Sequence, residues 1–230
     1  MEGFLLIDKP AGLTSHDVVD VVRKLTGEQR VGHAGTLDPF ATGLLIVGVG
    51  RGATKLLGEL TTGTTKTYEA HVRLGSTSAT DDPEGPITER EIDKPPTKSV
   101  IQTAVRQLEQ TTLQTPPAYS AIQVGGVRAY ALARAGQSVE MKPRPVVIHA
   151  IRIRGYHWPD LELEISCGPG TYIRTIAHDL GEQLGCGAYL SALRRTAIGR
   201  WSVGSAITLS VLDSTRVTEA LVSVSGVNIH

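Results

Sequence analysis

Apolar and polar positions change their period along the chain, and the changes mark out its elements. The opening run Gly3-Phe4-Leu5-Leu6-Ile7 stops at Asp8-Lys9-Pro10-Ala11-Gly12, which predicts a short strand closed by Pro and Gly. Val18, Val19, Val22 and Leu25 then recur at helical spacing, with Thr14 or Ser15 available as N-cap, Asp17 in the first turn and Gly27 at the C′ position. From Gly32 to Gly43, three glycines and a proline over twelve residues predict an ordered loop rather than a long regular element. Leu44 to Val49 is apolar on both faces, as a central strand is. Tyr68-Glu69-Ala70-His71-Val72-Arg73-Leu74 alternates and predicts a half-buried strand with Tyr68 on the apolar face.

The second half continues in the same vein. Residues 76–96 are rich in acids, Pro and Thr and predict a long excursion, after which Thr97 caps a helix bearing Val100, Ile101, Ala104, Val105 and Leu108. Two alternating runs, Val147 to Arg154 and Leu161 to Cys167, predict strands. Beyond Gly168-Pro169-Gly170, Ile173, Ile176, Ala177, Leu180 and Leu184 set out a helix with Arg174 on the flank of its apolar stripe, near the N-terminus. A cation in a first turn opposes the macrodipole, which points to a partner for Arg174 elsewhere, with solvent exposure as the plainer reading. Strands interrupted by a few helices, with no repeat or linker between them, predict an α+β class and one main domain.

Composition narrows the picture. Of 230 residues 40% are hydrophobic, and 23 Lys+Arg balance 23 Asp+Glu. These values exclude disorder, collagen and coiled coil and give bulk electrostatics no say about a polyanionic partner. Charge is unevenly placed: residues 81–94 are mainly acidic and residues 128–154 mainly basic, for which a solvated face is the ordinary reading. Two cysteines, Cys167 and Cys186, are too few for a disulfide framework and lack zinc-site spacing, so a reducing cytoplasm is expected. No apolar run approaches the roughly 18 residues that span a bilayer, and no basic-then-apolar leader opens the chain; neither membrane insertion nor export is expected.

Taken alone, Leu37-Asp38-Pro39 reads as a turn. Its setting adds to that: Gly35 allows a sharp bend, Pro39 holds residue 38 in an extended conformation, and small neighbours let another molecule approach. The run Gly32-His33-Ala34-Gly35-Thr36-Leu37-Asp38-Pro39-Phe40-Ala41-Thr42-Gly43-Leu44-Leu45 resembles the signature of the TruB-type tRNA pseudouridine synthases, which convert uridine 55 in the T-loop of tRNA. The resemblance continues at Asp8 to Ser15, Lys66-Thr67-Tyr68, Pro116 to Ala121, Gly170 to Thr175 and Asp179-Leu180-Gly181, in the family's order.

This resemblance implies the pseudouridine synthase fold: a mixed, mostly antiparallel sheet with flanking helices and a central RNA-binding cleft. It also implies an isomerase without cofactor or metal, a monomer whose partner is the T-arm stem-loop of tRNA. By residue, it implies catalytic roles for Asp38, for Tyr68, which stacks on the flipped base, and for Arg174, which pairs with the aspartate. It implies substrate-binding roles for His33, Tyr172, Leu193 and Lys9. Without the resemblance, Tyr68 and Leu193 read as core residues and His33 as a loop histidine. Residues 1–208 are expected to form the catalytic domain, with a mobile RNA-contacting region at about 119–145. Residues 209–230 are expected to form a tail in place of a second RNA-binding domain. Gln123 stands where the family has lysine, and Gly168-Pro169 where it has serine-lysine. Two other classes compete. An RNA-binding or tRNA-folding module has no need of a carboxylate facing a polyanion, and a glycosidase needs a second acid that the Asp38 loop lacks.

Overall fold

The computed structural model describes residues 1–120, 122–137 and 139–224. Ala121, at the end of one quoted motif, and the last six residues of the expected tail lie outside the described residues. The chain forms two compact units, residues 1–69 with 193 onward, and residues 70–192.

In the first unit, β1 (Gly3–Lys9) is followed by α1 (Ser15–Thr26), β2 (Val31–Ala34), β3 (Thr42–Val49), α2 (Gly50–Thr62) and the start of β4 (Lys66–Leu74). β1 lies antiparallel on one edge of β3 along its whole length. It sends Leu5 and Ile7 to one face, among Val18, Val22, Leu45 and Val47, and Phe4 and Leu6 to the other, against Leu44, Ile46, Leu57 and Leu60. That two-sided burial is why β1 and β3 read as continuous apolar runs. α1 begins and ends as its sequence predicts: Thr14 and Asp17 form a capping box, and Gly27 closes the helix at φ 68°, a left-handed conformation suited to glycine.

Two expectations fail here. Residues 32–34, placed in a loop above, pair with β3 as part of strand β2, because β3's edge offers unpaired backbone groups that outweigh the local glycine signal. α2 was not expected, since Gly and Thr dilute its pattern; Ala53, Leu57 and Leu60 nevertheless bury a helical stripe.

The second unit takes the rest of β4, a hairpin of β5 (Ser76–Ser78) and β6 (Ile87–Glu89), α3 (Lys98–Glu109), and β7 (Leu113–Gln114). There follow β8 (Gln123–Val124), β9 (Val127–Arg128), α4 (Ala129–Arg134) and β10 (Arg144–Pro145). β11 (Ile148–His157), β12 (Asp160–Cys167), α5 (Ile173–Gln183) and the first half of β13 (Ala188–Ile198) complete it. Within it the strands run β11-β12-β4-β13. The acidic excursion of 76–96 therefore contains an ordered hairpin. α3 follows Thr97 as expected, but Val100 is exposed while Ile101, Ala104, Val105 and Leu108 are buried. In β11 a bulge between Ile148 and Ala150 shifts the inward face by one residue, so Ile148 and Ile151 are buried and Val147 points out, contrary to simple alternation.

The chain then returns to the first unit. β13 pairs with β3 at Arg194 and Arg195, and β14 (Trp201–Ser202) with β13. β15 (Ile207–Thr208) lies parallel to β1, and α6 (Ser214–Glu219) buries Val217 beside Leu5 and Val18. Among the described residues no helix is long and apolar enough to cross a membrane, and no group of His, Cys, Asp and Glu is placed to hold a metal.

Candidate active site

In the first unit, residues 35–41 join β2 to β3 and are held from several sides. The hydroxyl of buried Ser15, the first residue of α1, accepts from Leu37 N at 2.9 Å and donates to Leu37 O at 3.1 Å. Asp38 O accepts from Ala41 N at 3.1 Å, which closes a turn over Pro39 and Phe40, and Pro39 O accepts from Gly12 N at 2.8 Å. Lys9 supplies a further clamp. Its side chain is fully buried, and Nζ donates to Pro10 O, Leu13 O and Pro39 O at 2.9, 2.6 and 3.2 Å. An ammonium taken out of water without partners costs several kcal/mol, so these carbonyls fix both the lysine and the two turns they belong to. Asp38, itself half-buried, sits on a loop whose backbone has little freedom, as preorganised chemistry requires.

Arg195 secures the far end of the same loop. Fully buried, it donates from Nε to Leu44 O at 2.8 Å and from Nη2 to Gly35 O at 3.0 Å. Opposite it Gly43 adopts φ 101°, and a Cβ there would lie 2.8 Å from Arg195 N and closer still to Arg195 O. Only a glycine permits that approach. Neighbouring Arg194 grips Asp8 through both carboxylate oxygens, at 3.0 and 2.7 Å.

His33 stands on β2 with Nδ1 buried and without a hydrogen-bond partner among the described residues. Burial lowers its pKa, and the charges of Arg195 and His16 lower it further, so the imidazole is neutral at pH 7. Tyr68 is buried on the inner face of β4, as its alternation predicted. Two residues earlier, on the same face, buried Lys66 donates to Thr61 O at 2.6 Å, in the last turn of α2, and to Thr64 O at 2.9 Å, just beyond it, docking the start of the strand on the end of the helix. Leu193 is buried in β13, and its carbonyl accepts from Thr42 Oγ1 at 3.4 Å.

The remaining candidates belong to the second unit. Arg174, in the first turn of α5, is 3% exposed, which excludes the solvated reading. Nη1 donates to Asp82 Oδ2 and to Thr80 O, both at 3.1 Å, and Nη2 donates to Tyr119 O at 2.8 Å. Asp82 is as deeply buried as the arginine, so the two form a desolvated, hydrogen-bonded pair. Tyr172 is held through its backbone by the side chain of Gln114, which donates to Tyr172 O at 3.0 Å and accepts from Tyr172 N at 2.8 Å.

The structure thus gathers Lys9, Asp38, His33 and Leu193, with Tyr68, in one unit, and Arg174 and Tyr172 in the other. Asp82, Arg195 and Gln114 hold candidate residues or their loop in place, and the sequence did not single them out. A signal existed for Asp82 alone. Thr80-Asp81-Asp82-Pro83-Glu84-Gly85 is a turn sequence, and an arginine on a buried stripe needs a carboxylate.

Residues 23–173 match the TruB family pseudouridylate synthase N-terminal domain, and residues 174–222 match the tRNA pseudouridylate synthase B C-terminal domain. By class, then, the chain is a pseudouridylate synthase. It belongs to the TruB family, and curated relatives agree. The tRNA pseudouridine synthase B of Thermobifida fusca (strain YX) is 48% identical over 219 residues, covering 92% of this chain and 74% of that protein. The protein of the same name from Mycobacterium sp. (strain KMS) is 47% identical over 226 residues, covering 95% and 75%. Among solved structures, the chain is similar to one in "Crystal Structure of a Cbf5-Nop10-Gar1 Complex" at TM-score 0.69 and 27% identity, covering 90% of this chain and 52% of that one. It is also similar to one in "Structure of H/ACA RNP bound to a substrate RNA containing 2'-deoxyuridine" at TM-score 0.67 and 25% identity, covering 90% and 51%. It spans about half the length of each of these solved chains.

Proposed function

We propose that this protein isomerises uridine 55 in the T-loop of tRNA to pseudouridine, in the cytoplasm and without a cofactor. The observation that carries the reading is the Asp38 loop: the matched signature, clamped by Ser15, Lys9 and Arg195, presents a carboxylate on a backbone that is already ordered. Names of relatives at 47 and 48% identity support tRNA as the substrate. In this reading Asp38 acts as an anion in the cleavage and re-formation of the glycosidic bond, Arg174 serves that anion, and Tyr68 offers its ring to the extruded base. His33, with an open valence at Nδ1, is suited to an RNA hydrogen bond, and Tyr172, Leu193 and Lys9 support the binding surface. Incubation with unmodified tRNA, followed by nucleoside analysis and mapping of the modified position, tests it. Pseudouridine at position 55 is expected, and its absence refutes the proposal.

A further inference from the structure

Arg174 and His178 lie one helical turn apart on α5, and consecutive residues of a single turn meet them. Asp82 Oδ2 is 3.1 Å from Arg174 Nη1, and Asp81 Oδ1 is 2.9 Å from His178 Nδ1. The turn that supplies both carboxylates, between β5 and β6, is tightly built. Asp81 adopts φ 59°, the one non-glycine positive φ among the described residues, and such a conformation persists only where its surroundings hold it. Asp81 N donates to Ser78 O at 3.1 Å, and Asp81 O accepts from Leu190 N at 3.0 Å. Thr80 O and Asp82 Oδ2, the residues on either side, both accept from Arg174 Nη1. Asp82 is further tied by its other carboxylate oxygen, which accepts from Thr80 Oγ1 and from Glu84 N.

A turn that aims an arginine gains nothing if that arginine is its only side-chain link to the helix. The Asp81–His178 bond is a second, independent link, on the next turn of α5. We propose that Asp81 and His178 are a positioning pair: their bond seats the Thr80–Asp82 turn on α5 and so sets the direction in which Arg174 presents its guanidinium. The inference rests on the reading of Arg174 as a functional group of the uridine isomerase.

The charges acting on His178 agree with it. Asp81 faces it from the turn, and Asp179 and Glu182 act from its own helix, Glu182 being shared with Arg90 at 3.2 Å. The hydrogen bond to Asp81 is the main cause that raises the His178 pKa above its ordinary value, against an opposing effect of partial burial. Protonated His178 donates to an ionised Asp81, a charge-assisted bond; as pH rises through the raised pKa, a weaker neutral bond replaces it.

The test is steady-state kinetics on a T-arm stem-loop, with Asp81→Gly, His178→Ala, His178→Arg and Arg174→Lys beside the wild type. Asp81→Gly is informative because glycine adopts the same φ freely, so its defect reports the carboxylate rather than the backbone. Both Asp81→Gly and His178→Ala are expected to lose about tenfold in kcat with KM within about twofold, and the double variant to be no worse than either single one. His178→Arg, a permanent cation, is expected to recover most of kcat and to lack the alkaline decline expected of the wild type as pH rises through the raised His178 pKa. Wild-type kcat in Asp81→Gly and His178→Ala overturns the pair, as does a rise in KM alone, which identifies His178 as a direct RNA contact. Should His178→Ala not fold, Asp81→Gly and the pH profile of His178→Arg decide the question by the same criteria. Arg174→Lys separates the two levels. If it keeps full turnover, the reading of Arg174 itself fails; if it is inactive while the pair variants are normal, only the positioning inference fails.

Discussion

Asp38 is a residue whose neighbours explain more than its own sequence context does. Because Ser15, Lys9 and Arg195 hold the loop through backbone atoms, the carboxylate can be exchanged for its amide without disturbing the fold. Asp38→Asn is therefore expected to retain stem-loop affinity within about threefold while losing pseudouridine formation by a factor of at least about 10³, since the anion is gone. Filter binding and product assay on the same preparation check it. Gly43 is constrained differently. Gly43→Ala puts a methyl group where the β13 backbone lies, at a φ that alanine resists, and is expected to lower stability by about 2 kcal/mol or more, read as the midpoint of urea unfolding.

His33 adds a pH signature at the same scale. Its pKa is lowered in the folded protein, first by burial and then by Arg195 and His16. The unfolded chain accordingly takes up a proton at about pH 6.5 that the folded one resists. Stability from this group is present above that pH and declines as pH falls below it. The urea midpoint of His33→Gln is expected to fall less between pH 7.5 and 5.5 than that of the wild type.

At the scale of elements, α1 is the clearest case of local specification. Thr14 Oγ1 accepts from Asp17 N at 3.1 Å, and the Asp17 carboxylate accepts from Thr14 Oγ1 at 2.7 Å and from Thr14 N at 2.8 Å; the hydroxyl's bond first, and then the backbone's, lowers the Asp17 pKa. Thr14→Ala is expected to cost about 1 kcal/mol in urea unfolding with catalysis unchanged, because the cap is exposed and its loss leaves the Ser15–Leu37 bonds in place. α3 and α5 were equally readable from their apolar spacing. β2 was not, because four residues with a central Gly-His carry no periodicity, and only the free edge of β3 makes them a strand. β11 shows the complementary failure. Its alternation is real, but one inserted residue at a bulge reverses the inward face, and nothing in an alternating sequence announces where an insertion falls.

For the whole molecule, equal numbers of acidic and basic residues leave little long-range attraction for a polyanion, so affinity must come from short-range contacts around the reacting uridine. A T-arm stem-loop is expected to be turned over with kcat/KM within about tenfold of that for full tRNA. Side-by-side product assays over a range of salt concentrations check this; an inert stem-loop beside an active tRNA refutes the compact footprint.

By itself the sequence determined the elements whose signals are local: the capped helix α1, the apolar strands β1 and β3, the alternation that turns Tyr68 inward, and the motif that makes Asp38 the residue to watch. These are written within a turn of helix or a few residues of strand, where the chain's own period and caps suffice. The tertiary structure alone decided the partners. Asp82 lies 92 residues from Arg174, and Gly35 lies 160 from Arg195. A buried cation must find acceptors, yet the chain does not say which. That choice is made by packing, when α5 and the β5–β6 turn, or β13 and β3, are brought side by side and water is excluded between them.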